Sequence, residues 1–140
     1  MRIRILHCDD IEDDTPHVDI FVDHDGYAAR QDTYVERHEF ATFGRALQSF
    51  PQTLKQEVSF ESGSPGPKWA CHILLRAFVS DASGHTCLEV LMSNNCDGQY
   101  HASVHFHIPC EAATLNRLGQ SLEAWAQSES RSYEYSDPNS

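Results

Sequence analysis

Three of the chain's nine histidines fall within QYHASVHFHIP, residues 99–109. His101, His105 and His107 share a parity, and side chains of one parity on a strand project to one face, so these imidazoles and Ser103 would line the same side of a sheet. Two imidazoles at i and i+2 can both reach one zinc ion, which takes three or four nitrogen, sulfur or oxygen ligands at about 2.0–2.3 Å. His72 or Glu89 could complete a set with His105 and His107. The competing reading needs no metal or other cofactor: a core on the other side of the strand fixes its orientation, and the histidines line a wet or partner-binding face. Ser103 and His105 have the residue types of a nucleophile and its base, but neighbours two apart on a flat strand lack the supporting turn and oxyanion hole that acyl chemistry requires. No G-x-S-x-G elbow or phosphate-cradling glycine loop is present, and nothing near Cys87 predicts a lowered thiol pKa. The expectation is a protein that is not an enzyme.

Those side chains need strands to hold them. Residues 69–80 place Trp69, Cys71, Ile73, Leu75, Ala77 and Val79 on one face, and DASGH turns the chain into residues 86–93, where Thr86, Leu88, Val90 and Met92 match them. NNCDG then leads into a third strand with Tyr100, Ala102, Val104, Phe106 and Ile108 inward. Antiparallel partners keep a constant index sum, so Val79 opposite Thr86 puts Arg76 opposite Glu89, and Glu89 beside Ser103 or His105. The outer face of this meander would carry His72, Arg76, Glu89, His105 and His107 among Leu74, Phe78 and Leu91.

The flanking segments supply the rest of the fold. RIRILH and HVDIFVD alternate as strands, and Asp25-Gly26 is a hairpin turn into residues 27–35. Phe40, Phe43, Leu47 and Phe50 recur at helical spacing up to Pro51, and a weaker strand surrounds residues 58–60. Pro109 is expected to open a second helix with Leu115, Leu118, Leu122 and Trp125 as its stripe. Trp69, Trp125 and the three phenylalanines of the first helix read as core. The predicted fold is α+β: an antiparallel sheet, made of an N-terminal hairpin plus a central three-stranded meander, packed against two amphipathic helices on one face. Residues 1–126 form one domain, and residues 127–140, which lack periodicity, form a disordered acidic tail.

Charge narrows the choice of partner. Ten Lys and Arg against 21 Asp and Glu give a formal net charge of −11, which argues against nucleic acid and anionic membrane and favours a basic protein. Asp9, Asp10, Glu12, Asp13 and Asp14 lack the spacing of an EF-hand and could present carboxylates to such a partner, as could the face bearing His72, Arg76, Glu89, His101, His105 and His107. Pairing of that face with a second copy, giving a homodimer, is the other interaction considered. Five cysteines without C-x-x-C spacing indicate neither a disulfide framework nor a zinc ribbon. The apolar part of the N-terminus is too short for a signal peptide or membrane span, so a cytoplasmic location is expected.

From EFATFGRALQSF through VSDASGH, TCLEVLM and ASVHFHI to ATLNRLGQSLEAW, the order of signals resembles the small bacterial WapI-like immunity family and its uncharacterised relatives. The resemblance covers about residues 34–126 and consists of an FxxFxxxL helix, a D-x-x-G-H hairpin and a closing LxxLxxxL helix. It implies a non-enzymatic α+β domain that binds and neutralises a cognate toxin of interbacterial competition, commonly a nuclease. It brings no catalytic residues.

Overall fold

The computed structural model describes residues 1–8 and 16–137, so the acidic run at Asp9, Asp10, Glu12, Asp13 and Asp14 lies outside the described residues. The chain is α+β, with two antiparallel four-stranded sheets and two helices that pack against each other. The first sheet joins β1 (Arg2–His7), β2 (His17–His24), β3 (Tyr27–Tyr34) and β8 (Ser132–Ser136) in the order β3-β2-β1-β8. The second joins β4 (Glu57–Gly63), β5 (His72–Val79), β6 (Thr86–Ser93) and β7 (Ser103–Cys110) in sequence order. Helix α1 (Arg37–Gln48) and helix α2 (Ala112–Ala126) complete the fold.

The single sheet expected from the sequence is therefore two sheets. The hairpin β2-β3 forms as read, with Asp25 and Gly26 at φ 51° and 86°, the left-handed pair that a two-residue hairpin loop demands. Its sheet is completed by β1 and by a segment expected to lack structure. In SYEYS, Tyr133 and Tyr135 lie opposite Ile5 and Ile3 of β1, and Tyr133 is buried with its ring 5.6 Å from that of Trp125. The Tyr133 hydroxyl shares a 2.6 Å hydrogen bond with Ser121. Burial raises its pKa to about 12, against the hydrogen bond to Ser121.

The helices lie antiparallel. Near the start of α1, Arg37 donates from Nη2 to the Trp125 carbonyl oxygen at 2.8 Å and from Nε to that of Ala126 at 3.2 Å, capping the end of α2. Reciprocally, Asn116 Nδ2 donates to the carbonyl oxygens of Leu47 and Phe50, each at 2.8 Å, at the end of α1. Between these ties Gly44 and Gly119 meet backbone to backbone. Phe40 stacks on Phe60 of β4 at 4.9 Å and meets Trp125 edge-on at 5.7 Å, so one core joins both helices to both sheets.

Three further expectations are corrected. Pro109 lies inside β7, opposite Cys87, and α2 starts at Ala112 after Glu111. The missing N–H costs the ladder nothing there. Asn94 N–H donates to Ala102 at 3.0 Å, so by alternation Val104, Phe106 and Ile108 bond to β6 while Pro109 faces away from it. Trp69 is 53% exposed rather than core, because β5 begins only at His72. Tyr100 and His101 precede β7: Tyr100 closes a single 3-10 turn, and His101 hydrogen-bonds through Nδ1 to the Cys96 carbonyl oxygen.

Candidate functional site

On the outer face of the second sheet Arg76, Glu89, His105 and His107 come together, four of the six described partner-binding candidates. Arg76 lies directly opposite Glu89, as the constant index sum requires. Its Nε donates to Glu89 Oε1 and its Nη1 to Glu57 Oε1, both at 2.6 Å, so one guanidinium ties three strands. Across β6 and β7 the residue opposite Glu89 is His107, one step beyond the expected Ser103 or His105. The loop is longer than NNCDG. Asn94 Oδ1 accepts from the backbone N–H groups of Cys96 and Ala102, each at 3.0 Å, and its Nδ2 donates to the Tyr100 carbonyl oxygen at 2.9 Å, so the chain turns over residues 95–101.

His105 nevertheless reaches the same carboxylate diagonally. Its Nε2 lies 2.7 Å from Glu89 Oε2, and His107 Nε2 lies 3.8 Å from that oxygen. The two imidazoles are 5.2 Å apart, and the Phe78 ring meets His107 edge-on at 5.8 Å. His72 shares the outer face but does not join them. It is buried, with Nε2 2.7 Å from Glu61 Oε2, and lies four residues along β5 from Arg76, about 13 Å away at a strand rise of about 3.3 Å. His101, outside the strand, is also absent from the cluster. Glu57 and Glu61 were missed by sequence reasoning, although Glu57, Ser59 and Glu61 alternate with the buried Val58 and Phe60 in the weakest of the strand signals.

Burial disfavours the ionised form of Glu89, but the hydrogen bonds from Arg76 and then His105 outweigh it and hold its carboxyl below the ordinary value of 4.5. A carboxyl whose pKa falls on folding stabilises the fold fully above its unfolded value, and that contribution is lost as pH falls through the folded value. Glu89→Gln should therefore melt below the parent at neutral pH, with the gap closing in acid below about pH 4.5. Thermal melts of both proteins across that range test this; a gap independent of pH would mean that Glu89 acts only by packing.

β7 itself departs from the expected pattern. Ile108 is fully buried, but Val104 on the same inward face is 36% exposed and Phe106 is half-buried beside Tyr27, with ring centroids 6.2 Å apart. The strand is thus open on both faces at its N-terminal half. No other strand among the described residues pairs with its far edge. By the alternation described above, the main-chain N–H and carbonyl groups of Ser103, His105 and His107 point to that edge. Tyr27, 65% exposed, flanks it beside Phe106, and sequence reasoning assigned it no role; Tyr100, expected to face the core, is 72% exposed in the turn that precedes the strand.

None of the described helices is long and apolar enough to cross a membrane. Searches against protein-family models, curated proteins and solved structures found no match to this chain.

Proposed function

We propose that the chain is a non-enzymatic protein-binding module of the immunity type, which takes a basic partner polypeptide along the open edge of β7. The observation that carries this reading is the exposure of β7 on both faces and along its edge. An uncovered edge strand offers a row of main-chain donors and acceptors to an incoming strand, and natural proteins cover, blunt or use such edges. Among the described residues no strand covers this edge and β7 carries no lysine, while Pro109, which faces the edge, blunts only its C-terminal end. The edge is bordered on one side by Val104, Phe106 and Tyr27, and apolar and tyrosine side chains of this kind supply the buried centre of protein interfaces. On the other side lie His105, His107 and Glu89. The net charge of −11 favours a basic partner. The resemblance to the WapI-like immunity family makes a nuclease toxin domain the partner of choice, because an active site built to attract phosphates is basic.

The test is co-expression of the chain with the basic polypeptides encoded beside its gene, followed by titration calorimetry on any complex obtained. A one-to-one complex weakened by salt, and weakened at least tenfold by Val104→Arg, is expected. A complex indifferent to both, or none with any such polypeptide, would overturn the reading. A dimer of the chain alone that Val104→Arg dissociates would instead assign the edge to a second copy.

A further inference from the structure

We propose that Glu89, His105 and His107 form a binding site for a divalent transition-metal cation, with zinc as its representative, on the outer face of β6 and β7. The donor atoms of these three residues all lie within 4.8 Å of one another, and among the described residues no other group of three or more His, Cys, Asp or Glu converges in this way. Tetrahedral zinc with bonds of about 2.0–2.1 Å holds its ligand atoms roughly 3.3 Å apart. To reach that geometry the longer separations must close by up to about 1.5 Å, and the 2.7 Å contact between Glu89 and His105 must open slightly. The side chains of His105 and His107 are 50% and 46% exposed, so both imidazoles can make this adjustment by side-chain rotation without disturbing the core.

The carboxylate, in contrast, is already fixed. Its Oε1 is held by Arg76 Nε at 2.6 Å, which leaves Oε2 directed at the two imidazoles. A ligating carboxylate oriented through its second oxygen is the usual supporting arrangement around bound metal. The positive charge of Arg76 opposes a cation, but Glu57 and Glu89 both contact that guanidinium and offset it. Phe78 packs edge-on against His107 and limits the orientations of that ring.

The donor set decides the class of ion. Two imidazoles and one carboxylate suit zinc, nickel, copper or ferrous iron, whereas magnesium and calcium prefer all-oxygen sites. Three protein ligands leave at least one coordination position for water or for a donor from another molecule. The site lies on a different face from the apolar border of β7, so it stands whether or not the docking reading holds.

Isothermal titration of tag-free protein with zinc chloride tests the proposal. The expected result is one zinc per chain with micromolar affinity, weakened at least tenfold by His105→Ala or by His107→Ala and abolished by the double variant. His85→Ala and His101→Ala should leave it unchanged, and magnesium should give no heat. Circular dichroism of the apo variants should show them folded, since both substituted side chains are half-exposed. Absence of zinc binding by the parent protein, or undiminished binding by the folded double variant, would overturn the proposal. Loss of zinc binding with partner binding retained would separate the two sites.

Discussion

Gly119→Ala is expected to lower stability by about 1–3 kcal/mol, although in most helices this exchange is favourable by roughly 0.5–1 kcal/mol. The difference lies in what a methyl group would meet. A Cβ at Gly119 would run into the carbonyl oxygen of Gly44, lie 2.6 Å from Leu47 Cβ and sit 3.2 Å from the amide nitrogen of Gln48. The reciprocal Cβ at Gly44 would lie 2.7 Å from the Gly119 oxygen and 2.8 Å from the Glu123 nitrogen. These obstacles are mostly backbone, so no rotamer change can clear them and the helices must separate. Separation is opposed by Asn116 at the end of α1 and Arg37 at the end of α2, and it would open the aromatic contact between Phe40 and Trp125. Urea midpoints for Gly119→Ala and for the exposed control Ala124→Gly, which should cost only about 0.5–1 kcal/mol, make the comparison. A Gly119→Ala protein as stable as its parent would show that the helices do not cross in backbone contact.

Sequence reasoning saw neither glycine, because a close helix crossing is a property of two elements and each helix stripe was read alone. Local patterns were legible where one turn joined two strands. Arg76 opposite Glu89 follows from the index sum across DASGH, and the stripes Phe40, Phe43, Leu47 and Leu115, Leu118, Leu122, Trp125 are those buried. Wherever the answer depended on distant partners, the local signal was insufficient. β8 is five residues long and serine-rich, and its place is set by β1, the other end of the chain, where Tyr133 meets Ile5. The register of β7 slipped one step because the side chain of Asn94 organises a loop longer than its turn residues suggest. The convergence of Glu89 with His105 and His107 survived that slip, since parity fixes the face even when register is off by two residues. His72 shared the parity but not the height along the strand, and so fell out of the cluster.

The same distinction predicts opposite outcomes for two residues on one face of β7. Ile108 and Val104 have equal parity, and alternation alone makes them equivalent core positions. Ile108 lies opposite Leu88, itself paired with Ala77 and through it Val58, and all four are buried with Ile108 fully so. Val104 lies opposite buried Met92 but is itself 36% exposed, because the apolar cover over the sheet stops short of it at the edge. Ile108→Ala removes fully buried methylenes and leaves a cavity, which should cost about 2–5 kcal/mol. Val104→Asp should leave the protein folded at a cost of about 1–2 kcal/mol, since a charge at that position keeps part of its water while the partial burial and strand preference of valine are lost. Denaturant midpoints for the two variants decide it. A Val104→Asp protein that fails to fold would mean that the N-terminal half of β7 is sealed in solution, and the docking edge would fall with it. A stable Val104→Asp protein leaves an apolar border that the fold does not need, which is the condition for its being kept for a partner.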